Sequence, residues 1–178
     1  MNMKMTVEIP KGSTNKYEYN SFTKQWELDR VLSGAMFYPE EYGFLSETLD
    51  HDGDPLDVIC LTNYPTFPNF QLPIRIIGVL KMIDGGEADD KIIAVNAVDP
   101  RLSNINDLKD VCQEKLNEIS NFFLRYKELE KKEVIIEGFG NKKEADRVLS
   151  TCQKLYQSCQ DLIGKISKEE LVKKLTNC

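Results

Sequence analysis

The segment Pro73 to Met82, "PIRIIGVLKM", is apolar at both parities: strict alternation puts Ile74, Ile76, Leu80 and Met82 on one face, with Ile77 and Val79 on the other. Side chains of a strand alternate across a sheet, so this strand needs apolar cover on both sides. A small barrel with helices packed outside it meets that requirement. The runs "MTVEIP", "KYEYN", "WELDRVL", "DVICL" and "KIIAVNA" are further short strand-like segments, separated by Gly, Pro, Asn and Asp.

After about Asp99 to Asn106 the pattern changes to helical. From about Leu108 to Leu124 the apolar positions Leu108, Val111, Cys112, Leu116, Ile119 and Phe123 recur at threes and fours. A last strand, "EVIIEGF", precedes a second helix that Asn141 and Glu144 cap. Its apolar stripe runs from Val148 and Leu149 through Cys152, Leu155, Tyr156 and Cys159 to Leu162, with Gly164 expected to end it. Ser167 and Glu170 repeat the capping pattern for a short terminal helix. The expectation is one α+β domain over residues 1–178, a β-barrel with flanking helices and an extra helical segment from about 164.

With 178 residues, 41% hydrophobic and 29% charged, the chain is long enough to bury a core. It holds no run of roughly 18 apolar residues, and "MNMKMTVEIPKG" has no apolar signal region, so a cytoplasmic, membrane-free protein is expected. The five cysteines, Cys60, Cys112, Cys152, Cys159 and Cys178, form no CxxC pair and are expected as free thiols. A net charge of -6 argues against a nucleic-acid partner. One histidine, His51, leaves no room for a histidine-rich zinc site, and no GxSxG accompanies it as a triad would require.

The chemistry is concentrated in "LDHDGDPLDVI", Leu49 to Ile59, with four aspartates in eight positions. Asp50, Asp52 and Asp54 have calcium-loop spacing, but Pro55 stands where such a loop needs glycine and Leu61 where it needs glutamate. What remains is Asp52, Asp54 and Asp57 at the mouth of a strand. A second acidic turn, "KMIDGGEADDKIIAV", supplies Asp84, Glu87, Asp89 and Asp90. Two such groups at strand ends suit several hard divalent cations, magnesium or manganese, with one of Asp52, Asp57 or Asp89 shared between ions. Lys16, Arg30, Lys91 and Lys127 could meet an anionic substrate, and Tyr38, Tyr42 and Tyr126 could donate phenolic hydrogen bonds to it.

Taken together, "DGDPLDVI", "VEIPKGSTNKYEY", "LDRVLSGAMFYPEEYGF", "GVLKMIDGGEADDKIIAV" and "FFLRYKELEKKEVIIEGF" resemble, in order and spacing, the blocks of the soluble family I inorganic pyrophosphatases of prokaryotic type. The resemblance runs from about Met5 to Val148. It implies an OB-like five-stranded barrel, a homohexamer, and hydrolysis of pyrophosphate to two orthophosphates with several magnesium ions, manganese or cobalt being substitutes. Carried over by position, Asp52, Asp57 and Asp89 would hold a first metal, Asp57 also a second, and Asp84 with Asp89 a third. Glu8 would lie near a fourth. Asp54 would be the general base. Lys16, Arg30, Tyr42, Tyr126 and Lys127 would bind phosphate, with Glu18, Tyr38 and Lys91 in support. Gly85 and Phe139 depart from the family pattern, which often has a carboxylate and a tryptophan there. The competing expectation is a non-catalytic OB-type module that binds nucleic acid or phosphate through a structural cation.

Overall fold

The computed structural model describes residues 3–20 and 23–175. Nine strands are present among them: β1 (Met3–Ile9), β2 (Asn15–Asn20), β3 (Gln25–Val31), β4 (Glu41–Phe44), β5 (Asp57–Leu61), β6 (Gln71–Asp84), β7 (Glu87–Ala88), β8 (Lys91–Asn96) and β9 (Val134–Asn141). Three α-helices accompany them: α1 (Gln113–Arg125), α2 (Lys142–Cys159) and α3 (Lys168–Leu175). Hydrogen bonding runs β1-β4-β5-β8-β6 and returns from β6 to β1, which closes a five-stranded ring. Only β5 and β8 in that ring are parallel. The fold is therefore the OB-like α+β barrel that the sequence led us to expect.

Strand β6 explains how the ring closes. Its first residues pair with β1, its middle with β8, its far part with β9 and its last two residues with β7, so one 14-residue strand serves four neighbours. The expected division of its side chains is corrected here. Ile74, Ile76 and Val79 join one apolar layer, whereas Ile77, Leu80 and Met82 join the other. The cause is an irregularity in the pairing with β8, where Ile76 faces Ala94 but Gly78 faces Ile93, leaving Ile77 as an extra residue. One inserted residue reverses the parity of everything after it.

Both layers are covered, as a strand apolar on two sides demands. Strand β5 sends Val58 and Cys60 to one layer and Ile59 and Leu61 to the other, and β8 divides Ile92 and Ala94 from Ile93 and Val95 in the same way. Helix α1 covers the layer of Ile59 with Leu116, Ile119, Phe122 and Phe123, while α2 covers the other with Ala145, Leu149 and Cys152. Each such buried aliphatic side chain contributes about 1.5–3 kcal/mol relative to exposure.

Two helix boundaries differ from expectation. Leu108–Asp110 is a separate 3-10 turn, closed by reciprocal capping between Asp107 and Asp110, and the extended backbone at Val111 and Cys112 delays α1 to Gln113. Helix α2 begins at the Asn141–Glu144 capping box but stops at Cys159. Leu162 then bonds back to Cys159 and Lys165 to Leu162, so the chain winds through tighter turns before Gly164 adopts φ +73°. Ser167 and Glu170 exchange capping hydrogen bonds at the start of α3. Leu171 and Leu175 of α3 pack with Leu49 and Cys159 in a third, smaller cluster.

Cys60, Cys152 and Cys159 are buried and Cys112 is exposed, with no disulfide among the described residues; Cys178 lies outside them. Among the described residues no helix is long and apolar enough to cross a membrane.

Candidate active site

The acidic residues meet where β5 and β8 begin and β6 ends. Asp57 is the first residue of β5, Lys91 the first of β8 and Asp84 the last of β6. Parallel pairing of β5 with β8 sets Val58 beside Ile92, so Asp57 and Lys91 are brought to the same end of the ring. The turn between β6 and β7 uses Gly85 at φ +59° and Gly86 at φ +93°, two consecutive left-handed residues that bring Asp84 opposite Glu87. Asp89 and Asp90 follow directly, with the Asp89 amide donating to the Met82 carbonyl at 2.9 Å.

At the centre, the Lys91 ammonium donates to Asp57 Oδ2 at 2.7 Å and to Asp89 Oδ1 at 2.8 Å. Lys91 is 1% exposed, so its charge is enclosed by the site and not spread on the surface. Burial opposes its positive charge, but Asp57 and Asp89 outweigh burial and hold it firmly protonated. Asp57 Oδ2 also accepts from the Tyr42 hydroxyl at 2.5 Å. Burial, then the charges of Asp57 and Asp89, keep the Tyr42 phenol from ionising, so it acts as a donor. Tyr38 lies behind it in the core, its ring 5.4 Å from Tyr42 and 4.8 Å from Phe122.

Asp84 faces a different pair. Its Oδ2 forms an ion pair with Lys127 and stands 3.4 Å from the Tyr126 hydroxyl, both residues lying just after the end of α1. Asp52 and Asp54 occupy the loop between β4 and β5. The Asp54 amide donates to Asp52 Oδ1 at 3.0 Å, the Gly53 amide to the Asp50 carbonyl at 3.0 Å, and the Asp50 amide to the Asp54 carbonyl at 2.7 Å. His51 is exposed on the same loop.

The hairpin of β2 and β3 contributes the remaining cations. Lys16 pairs with Glu18 and, at 3.2 Å, with Asp29; Arg30 Nη1 donates to Asp29 at 3.0 Å. Arg30 Nε is 3.3 Å from Glu130, an ion-pair distance without hydrogen-bond alignment. Arg30 Nη2 is buried with no hydrogen-bond partner among the described residues. A buried guanidinium with an unmet donor suits an anion.

Electrostatic crowding identifies what the cluster lacks. Burial first, then the charge of Asp57, pushes the Glu8 carboxyl up to about 8. Burial, reinforced by Asp54 and Asp57, moves Asp52 up to about 6. Asp89 is raised as well, by burial and by Asp57, against the pull of Lys91. Further positive charge would relieve all three, and carboxylate oxygens are the ligands hard divalent cations prefer. Among the described residues no three acidic side chains converge on one point, because lysine ammonium groups stand between them. The donor set fits divalent cations in chemistry and charge.

Three partners escaped the sequence reading: Asp29, Glu130 and Lys168, the last paired with Asp54 across 114 positions of the chain. Local pattern could place Lys168 in the first turn of a terminal helix, but nothing local points that helix at Asp54. Two surface cavities, of about 410 Å³ beside α1 and about 480 Å³ between β1 and α2, contain none of the clustered acids.

The profile of the inorganic pyrophosphatase family matches residues 5–157. The inorganic pyrophosphatase of Ureaplasma parvum is 44% identical over 98% of this chain and 94% of its own length. That of Halalkalibacterium halodurans is 45% identical over 85% of this chain and 93% of its own. Among solved structures, the inorganic pyrophosphatase of Thermus thermophilus superposes with a TM-score of 0.84 at 42% identity, covering 86% of this chain and 90% of that one. The Helicobacter pylori enzyme gives 0.84 at 39%, covering 86% and 92%.

Proposed function

The chain belongs to the inorganic pyrophosphatase family and is an inorganic diphosphatase, and we propose that the acidic cleft at the start of β5 and β8 is where it hydrolyses pyrophosphate to two orthophosphates, with Asp54 as general base. The observation that carries this reading is the Lys91 ammonium, buried between Asp57 and Asp89. Burial and then the charge of Asp57 push Glu8 up to about 8 even beside this buried cation, so the cleft favours further positive charge.

The family's metal dependence fits these residues. Asp52, Asp57, Asp84 and Asp89 would hold the ions, magnesium in our reading, with manganese or cobalt as substitutes and Glu8 alongside. When bound, such ions acidify a water and offset charge on the phosphoryl oxygens.

The chain's own groups divide the remaining work. Arg30, through its unpartnered Nη2, and Lys16 would bind terminal phosphate oxygens from the hairpin side. Lys127, Tyr126 and Tyr42 would donate as well, and Lys91 would fix Asp57 and Asp89 in place. Asp54, half-exposed on its loop and ion-paired with Lys168, would accept the proton of the attacking water. Glu18 and Asp29 orient Lys16, and Tyr38 backs Tyr42. We also assign a homohexamer on family grounds, which light scattering would test.

Orthophosphate release from pyrophosphate, with and without magnesium, for the wild type and Asp54→Asn tests the reading. Magnesium-dependent release that the variant loses is the expected result. Undiminished turnover in a folded Asp54→Asn protein would remove Asp54 as base. A non-catalytic oligonucleotide-binding role has no support in the -6 charge or the family.

A further inference from the structure

Helix α3 lies against the loop that carries Asp52 and Asp54. It is anchored from below by Leu171 and Leu175, which bury beside Leu49 at the entry to that loop and Cys159 at the end of α2. Contact with the loop is close. A Cβ on Gly53, whose φ is +86°, would stand 3.2 Å from Val172 Cγ2 and 3.4 Å from Lys168 Cγ. From the first position of the helix, Lys168 forms an ion pair with Asp54 Oδ2.

The loop's own bonds fix the backbone of Asp54 and leave its carboxylate free to turn. Its amide and carbonyl are engaged by Asp52 and Asp50, but among the described residues the carboxylate has no donor besides Lys168. A half-exposed ion pair adds little to folding stability. Orientation is another matter, since proton transfer requires the base within hydrogen-bonding reach of the water. Helix α3 also lies beyond residues 5–157, so this contact is added to the part of the chain that the family profile matches.

Resting on the reading of Asp54 as base, we propose that Lys168 is a positioning residue for pyrophosphate hydrolysis, through which α3 sets the orientation of the Asp54 carboxylate. Lys168 acts through Asp54 and touches neither substrate nor the reacting atoms. The close approach of the apolar Val172 side chain to Gly53, where even a Cβ would crowd it, holds the helix at the distance from which a lysine side chain can span to the loop.

The test is a double-substitution cycle in the full chain at saturating magnesium: Lys168→Met, Lys168→Arg, Asp54→Asn and the Asp54→Asn, Lys168→Met pair, each read as kcat and KM. Lys168→Met should lower kcat about tenfold with KM changed by less than about twofold, and Lys168→Arg should restore most of the loss. In the Asp54→Asn background Lys168→Met should cost nothing further, since the group it positions is gone. Losses that multiply in the double variant would mean that Lys168 acts independently of Asp54 and would overturn the proposal. So would a rise in KM alone, which would make Lys168 a substrate contact, or unchanged or faster turnover in Lys168→Met. If Asp54→Asn itself turns over normally, the base assignment fails and the positioning role with it. An inactive Asp54→Asn beside a wild-type-like Lys168→Met removes the positioning role alone.

Discussion

The Tyr42 hydroxyl on β4 donates to Asp57 on the neighbouring strand β5, at 2.5 Å. This bond joins the aromatic wall of the site to its central carboxylate. Tyr42→Phe keeps the ring packing against Tyr38 and Phe123 but strips Asp57 of a neutral donor. A hydrogen bond to a charged group contributes about 1.5–3 kcal/mol, and the metal-free variant should lose stability toward the lower end of that range. Urea titration in the presence of a chelator measures it, and an unchanged midpoint would show that the bond contributes nothing.

Removing Lys91 leaves Asp57 and Asp89 facing each other without the cation between them. Lys91→Met should destabilise the metal-free protein by about 3 kcal/mol, the cost of breaking a buried pair. Because the deficit is positive charge, millimolar magnesium should recover part of it. Thermal melts with chelator and with magnesium distinguish this from a simple packing defect, which magnesium would not repair.

Glu8 gives the metal-free protein a pH dependence of definite sign. Its carboxyl is raised from 4.5 to about 8 on folding, by burial first and then by Asp57. The folded chain thus holds the proton more tightly than the unfolded chain does. The associated stability is complete below 4.5 and is lost as pH rises to about 8. Melting temperature should fall across that window in chelator, and Glu8→Gln should flatten the fall. A wild-type curve of equal steepness in the variant would count against it.

Gly43 sits in β4 directly after Tyr42, paired with Val7 and Val58. A Cβ there would stand 2.0 Å from the Thr6 carbonyl oxygen, part of a backbone that cannot swing aside. Gly43→Ala should therefore cost about 3 kcal/mol, the upper end for overpacking, and should lower activity by displacing Tyr42. Full stability by denaturant titration would show that β1 and β4 can separate at little cost.

Local patterns made much of this molecule legible. The aspartate runs, the Gly85–Gly86 turn and the capping pairs Asn141–Glu144 and Ser167–Glu170 depend on neighbours in the chain, and the structure keeps them. What stayed hidden depends on distant partners. Strand β4 carries Glu40 before it and Glu41 within it, and both carboxylates are buried, which nothing local to them announces. Glu40 is met by Lys11 at 3.1 Å, Lys115 at 2.9 Å and the Thr62 amide at 2.9 Å, while Glu41 accepts from the Thr66 amide at 2.7 Å. The parity of β6 was lost for a similar reason, since an extra residue at Ile77 is visible only once β8 lies alongside. In the candidate site, residue types were legible and pairings were not: nothing near Lys91 in sequence reveals that it is buried, nor anything near Lys168 that it reaches Asp54.

The return of β6 to β1 has a consequence during synthesis. Met3 pairs with Ile74 and Thr6 with Gln71, so β1, once synthesised, must wait for β6 before these hydrogen bonds are satisfied. At about 5–20 residues per second that interval lasts several seconds, with an apolar strand edge exposed throughout. Met5 and Val7, fully buried in the finished barrel, are side chains left uncovered during that interval.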